Sequence, residues 1–265
     1  MKKIIALVSI VLLAVACKKA TPKPNNPSPT NVDGERVTMV TRFDGMSADT
    51  VKYVYENNKL VKVFVDEYEI KKSNSSTNNH THKWNLLWVE NSILIDVENI
   101  DYFNNDQFNI HTVDTTKLKG NVDLNTNGTI KQTVCDDRKL SFEYSSNYLS
   151  KIFEVDNTDT LVFSWKDGNL NSYNESTYEY YLDKQNNWIS IFQYIDESHL
   201  SDFSYLEGFR TKNLVKKRIE TNDDNSVDTY LYNYKFDAYN RVIEMSVQNE
   251  KDASDIITYK YTWSK

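Results

Sequence analysis

Large apolar side chains fall on every other residue through much of this chain. Ile257, Tyr259, Tyr261 and Trp263 would share one face of an extended segment, with Thr258, Lys260 and Thr262 on the other. Tyr230, Tyr232, Tyr234 and Phe236 repeat the pattern against Asn233 and Lys235. Alternation at period two, carried by aromatic and β-branched residues, predicts half-buried β-strands. No long segment keeps a 3.6-residue period, and a short helix is expected only between Asp196 and Phe209.

The strands recur as a unit: a large residue, a polar break, then an apolar residue opening the return strand. Tyr55–Leu60, Trp88–Ile93, Tyr144–Leu149 and Trp165–Leu170 have one spacing. Leu124–Ile130, Leu182–Trp188 and Phe236–Val242 are one residue longer. Asn, Asp and Gly in the breaks tolerate the left-handed backbone of tight hairpins, and Asn127-Gly128 is the strongest such signal. Seven units imply roughly fourteen or more sequential strands. The expected fold class is all-β: an antiparallel β-meander of many hairpins, curled into an open barrel or a long twisted sheet.

Tyr234-Lys-Phe-Asp-Ala-Tyr-Asn-Arg-Val242 resembles the YD (RHS-type) repeat, whose units run Tyr-x-Tyr-Asp-x-x-Gly-Arg-Leu. Phe236, Asp237, Asn240, Arg241 and Val242 take the successive motif places. Tyr53–Leu60 and Phe163–Leu170 match more faintly. Together with the N-terminal features below, residues 36–265 resemble uncharacterised outer-membrane lipoproteins with a porin-like β-meander. That resemblance implies an envelope location and a meander fold, and it brings no catalytic residues.

The N-terminus reads as an address. Met1-Lys2-Lys3 precedes thirteen apolar or small residues, Ile4 to Ala16, the layout of a secretory signal. Thirteen is short of the roughly 20 apolar residues of a spanning helix. Leu13-Ala-Val-Ala-Cys17 resembles the lipobox of bacterial lipoproteins, which implies cleavage before Cys17 and lipidation of its sulfur and new amine. Several acyl chains on one residue hold firmly, at about 0.8 kcal/mol per buried CH₂. All four prolines fall between Lys18 and Glu35, among Lys, Thr, Asn and Ser. That composition predicts an extended spacer reaching up to roughly 50 Å at ~3.1 Å per residue. The expected organisation is a signal peptide over 1–16, a lipidated tether over 17–35 and one β domain over 36–265.

Without Lys2 and Lys3, 38 acidic residues face 29 basic ones. This balance disfavours nucleic acid or an anionic membrane surface as a partner. With Cys17 lipidated, Cys135 has no intrachain partner and reads as a small strand hydrophobe.

The remaining candidate sites each meet a simpler explanation. Asp123-Leu-Asn-Thr-Asn-Gly128 opens like a calcium loop, but Val134 stands where the bidentate Glu belongs, so a hairpin turn is expected. Asn222-Asp-Asp-Asn225 with Asp228 reads as an exposed acidic loop. His80 and His82 sit in a polar run expected to be a mobile loop, and two histidines alone make a poor zinc site. His111 and His199 lie in no catalytic motif. No metal, cofactor or catalytic residue is assigned.

The five tryptophans and the tyrosine stripes fit either a hydrophobic core or stacking platforms for sugar rings. Core is the reading favoured for the stripes. Trp84 and Trp88, same-face neighbours expected at a sheet edge beside a loop, are the candidate ligand contacts. The leading functional expectation is a non-enzymatic binding or scaffold lipoprotein of the outer membrane, on its periplasmic or cell-surface side, monomeric, with glycan or protein as ligand. A polysaccharide-directed hydrolase and a membrane-spanning barrel are the alternatives.

Overall fold

A computed structural model describes residues 36–45, 47–57, 59–69, 77–105, 110–135, 138–155, 160–195 and 209–264. Expectations for residues 1–35, including Cys17, and for His199 lie outside them. So do those for the side chains of His111 and Cys135.

Sixteen strands close into one antiparallel barrel. The first quarter comprises β1 (Val37–Phe43), β2 (Ser47–Glu56), β3 (Lys59–Glu69) and β4 (Thr77–Val89). Next come β5 (Ser92–Asn105), β6 (Ile110–Leu124), β7 (Ile130–Cys135) and β8 (Arg138–Ser145). β9 (Tyr148–Glu154), β10 (Thr160–Lys166), β11 (Asn169–Tyr173) and β12 (Ser176–Gln185) follow. A four-residue helix α1 (Phe192–Ile195) then precedes β13 (Asn213–Thr221), β14 (Val227–Phe236), β15 (Val242–Asn249) and β16 (Ile256–Trp263). Each strand pairs with its sequence neighbours, and β1 pairs with β16 to close the ring, Val40 opposite Tyr261. Closure removes the sheet edges that a long open sheet would leave exposed.

The hairpin grammar explains the turns. Asn57, Asn147, Asp167, Asn240 and Gly128 all have positive φ, at 47°, 71°, 53°, 61° and 83°. These are the residue types that accept the left-handed region at low cost. At β14–β15 the motif's Asp and Arg form a clamp. Asp237 Oδ1 accepts from the Tyr239 and Arg241 backbone amides, and Oδ2 takes the Arg241 guanidinium at 2.7 Å. The YD-like pattern is thus turn chemistry.

One of the seven units departs from expectation. Leu182–Trp188 does not form a tight hairpin, because β12 ends at Gln185 and β13 begins only at Asn213. Asn186 redirects the chain: its side-chain oxygen accepts from the Trp188 and Ile189 amides, as in an Asx-turn. The run that follows is apolar and turns inward.

Period two decides which side of the wall is wet. Tyr53, Val63, Ile95, Ile152, Phe163, Tyr232 and Met245 are among the buried inward set. Lys52, Lys62, Asp96, Lys151, Glu179 and Lys235 alternate with them and are exposed. The barrel is therefore apolar within and largely polar or charged without, with Leu87, Leu94, Val113 and Val162 among the apolar side chains exposed on the wall.

Candidate functional site

The β2–β3, β4–β5, β6–β7, β8–β9, β10–β11 and β14–β15 turns all lie at one end of the barrel. The β12–β13 connection, the start of β1 and the finish of β16 lie there too. All seven sequence units therefore point the same way, and this end is called the mouth.

From the mouth the described residues of the β12–β13 connection, 186–195 and 209–212, enter the barrel as a plug. Ile189, Ile191, Phe192, Tyr194 and Phe209 are at most 2% exposed. Phe209 packs on Phe192 within the plug and on Phe142 of β8, with ring centroids 4.9 and 6.2 Å apart. From the other wall, the Tyr232 hydroxyl of β14 donates to the Tyr194 carbonyl at 3.1 Å. Tyr261 of β16 reaches Gln193 at 3.4 Å. Contacts from opposite walls place this segment inside the ring.

A polar latch holds the plug where it enters. Asn186 Nδ2 donates to the Ile189 carbonyl and to Thr211 Oγ1, and Thr211 Oγ1 donates to the Asn213 carbonyl. Asn169 and Asn213 exchange two bonds of 3.1 and 2.9 Å. Asn213 also caps the Leu182 and Lys184 carbonyls. Buried polar groups are tolerated when partnered in this way.

Deeper in, Arg218 of β13 is 8% exposed. It donates to the Tyr194 carbonyl at 3.1 Å, pairs with Glu220 at 3.3 Å and lies over the Tyr230 ring. Burial pushes the Tyr178, Tyr180, Tyr194, Tyr234 and Tyr261 phenols above their ordinary pKa, since a phenolate there would be poorly solvated. Tyr180 and Tyr234 donate to the Leu170 and Val215 carbonyls of the wall, and Tyr261 reaches Gln193 of the plug.

The mouth itself carries a repeated device. Trp88 Nε1 donates to the Leu60 carbonyl at 2.8 Å, Trp165 to Leu149 at 2.6 Å and Trp263 to Val242 at 2.9 Å. In each, the aromatic that ends one hairpin strand grips the residue opening the return strand of the preceding hairpin. Cations cover several of these rings: Lys59 over Trp88, Arg241 over Trp263, Arg210 over Trp188 and Lys184 over Phe236. Arg36 lies over Tyr55. Trp188 and Trp263 meet edge to face.

Trp84 and Trp88 share a face, as expected, and that face is the inner one. Trp84 is 9% exposed and belongs to the core. Trp88 is half-buried at the mouth. No sheet edge runs beside them, because β4 pairs with β3 and β5. His80 and His82 lie on β4, correcting the mobile-loop expectation. Their Nδ1 atoms meet Asp101 and Asn99 at 2.7 and 2.8 Å, with the rings stacked at 6.5 Å. Register across β3–β5 decided this, a long-range pairing the polar run 73–82 does not announce.

Asp123 and Leu124 end β6 and Asn125–Thr129 form the β6–β7 turn, in which the Asn125 amide bonds the Thr129 carbonyl and Asn127 Oδ1 accepts from Thr129. Asn222–Ser226 is likewise a turn, with Asp228 on β14 accepting from Asn222 and holding Lys251 at 3.1 Å. Among the described residues no three His, Cys, Asp or Glu side chains gather as metal ligands.

No family model matches the chain, and no curated protein does. Among solved structures it is similar to a porin-like protein from Bacteroides uniformis, with 14% identity and TM-score 0.47, covering 86% of this chain and 98% of that one. A porin-like protein from Bacteroides vulgatus aligns over the same shares with 11% identity and TM-score 0.36.

Proposed function

We propose that this chain is a lipid-anchored outer-membrane protein with a non-enzymatic binding or scaffold role, its barrel standing in water and its working face the plugged mouth. The observation carrying this reading is the polarity of the wall. A bilayer-spanning barrel presents an apolar band about 25 Å tall to lipid, and one Lys or Arg at its midplane costs about 2–4 kcal/mol. Here Lys52, Lys62, Lys151 and Lys235 are exposed on four different strands. The interior is filled by aromatic plug residues, whereas a conducting lumen is polar and open.

The membrane-spanning reading draws on ring closure, since closed barrels are the β-structures that span bilayers, and on apolar side chains exposed on the wall such as Leu87, Leu94 and Val113. The charged outer wall weighs against it. Glycan or envelope protein remains the ligand class.

Two measurements test the proposal. The mature chain carrying Cys17→Ser should purify as a monomer without detergent; a requirement for detergent would favour the spanning barrel. In cells, a palmitate analogue should label the wild-type chain and not the Cys17→Ser chain. Labelling that survives the substitution would remove the anchor.

A further inference from the structure

The two ends of the barrel differ in chemistry. The end opposite the mouth carries a run of acidic turns that are neighbours around the ring. Asp44 lies on β1–β2, Glu175 on β11–β12, Asp223 and Asp224 on β13–β14, and Asp252 and Asp255 on β15–β16. Arg42 and Lys251 are cations within that arc, held by Asp44 and Asp49 and by Asp228 respectively.

The mouth is mixed in charge. Lys59, Lys184, Arg210 and Lys212 sit there with Glu56, Glu90, Asp167 and Asp183. What distinguishes it is the pairing of cations with half-buried indole and phenyl rings. Of the cation–ring pairs among the described residues, only Arg218 on Tyr230 and Lys260 on Phe43 lie away from the mouth. Aromatic rings with an apolar body and a polar handle, beside long cationic side chains, suit the boundary between hydrocarbon and water. The chain also enters the fold here: Arg36 N bonds Ser264 Oγ at 2.8 Å, so any N-terminal anchor leads to the mouth and not to the acidic end.

We infer that the mouth is the membrane-facing end, resting its cation-covered aromatic rim in the phosphate layer of the lipid headgroups with the acidic arc turned away. This names the partner of the mouth and rests on the lipid-anchored reading. An anionic surface repels the acidic arc and attracts the lysines of the rim, so the charge difference between the ends orients the barrel. The tether needs little intrinsic affinity from the rim. Holding the domain within tens of ångströms of the lipid makes the contact intramolecular, and a weak interaction then suffices. Mouth-down seating would also place the plug's entry at the lipid surface.

The test uses the whole mature chain with Cys17→Ser, so that no acyl chain contributes, and co-sedimentation with vesicles. Phosphatidylcholine vesicles are compared with vesicles containing one third phosphatidylglycerol. Binding should appear on the anionic vesicles, fall with added salt, and weaken roughly fivefold for each cation removed in Lys59→Gln, Lys184→Gln and Lys212→Gln. Asp252→Asn with Asp255→Asn, at the far end, should not weaken it. Each variant's melting temperature confirms that these surface changes leave the barrel folded. Equal sedimentation with both vesicle types, or a triple lysine variant that binds like the parent, overturns the inference. Retention on envelope polysaccharide that the lysine variants abolish while vesicle binding persists also overturns it, in favour of a glycan. Failure of the anchor reading shows separately, as loss of palmitate-analogue labelling at Cys17.

Discussion

The Tyr232 hydroxyl on β14 meets the backbone carbonyl of Tyr194 in the plug at 3.1 Å, and their rings pack edge to face with centroids 5.5 Å apart. One residue of the wall thus holds one residue of the plug by both a polar and an aromatic contact. Tyr232→Phe keeps the ring and removes the donor. The Tyr194 carbonyl still accepts from Arg218, so no buried group is orphaned and the cost should be near 1 kcal/mol. Urea unfolding measures it; a loss above about 3 kcal/mol would mean that the plug depends on this bond far more than the geometry indicates.

Phe209 returns the plug to the mouth and is 2% exposed, between Phe142 of the wall and Phe192 of α1. Phe209→Ala should cost about 3–5 kcal/mol through lost burial and an unfilled cavity. Thermal melting shows this as an early transition. A variant as stable as the parent would place the plug outside the cooperative core.

The two tryptophans of β4 should behave differently. Trp84 is 9% exposed, and Trp84→Ala should cost about 3–5 kcal/mol. Trp88 is half-buried, so Trp88→Ala should destabilise less, mainly by losing its bond to the Leu60 carbonyl and the Lys59 contact. Reversal of that order in chemical denaturation would exchange their roles.

Burial raises the phenol pKa of Tyr178, Tyr180, Tyr194, Tyr234 and Tyr261 above the ordinary value of 10.0. The folded state then holds protons that the unfolded chain releases. Their contribution is intact below about pH 10 and falls as pH rises beyond it, by up to about 1.4 kcal/mol per pH unit per tyrosine. The barrel should therefore unfold steeply in alkali, with tyrosinate absorbance at 295 nm appearing together with loss of β-sheet circular dichroism. Tyrosinate forming at ordinary pKa in a folded barrel would contradict the buried cluster.

Local chemistry made much of this architecture legible. Alternation of large and polar residues in Tyr230–Phe236 and Ile257–Trp263 marks strands because successive side chains point to opposite faces. The Asn- and Gly-rich breaks mark turns because those residues accept positive φ. Both signals operate over a few residues, so sequence carries them directly, and the Asp237–Arg241 clamp belongs to the same class. The Leu182–Trp188 break looks like its six counterparts for the same reason, since nothing local separates a hairpin from a chain that dives inward.

Whether the meander closed, which face became the inside and what filled it were decided by tertiary structure. Val40 finds Tyr261 across the whole length of the domain, and no local pattern specifies that pairing. Trp84 and Trp88 share a face by arithmetic, but only closure makes that face the interior and sets Trp84 in the core and Trp88 at the rim. His80 and His82 become strand residues through the register of β3, β4 and β5. The plug follows from the same cause: a sixteen-strand ring with an apolar inner face leaves a space that water fills at a cost. The apolar run from Ile189 to Tyr194, returning through Phe209, removes that cost only once the ring exists to receive it.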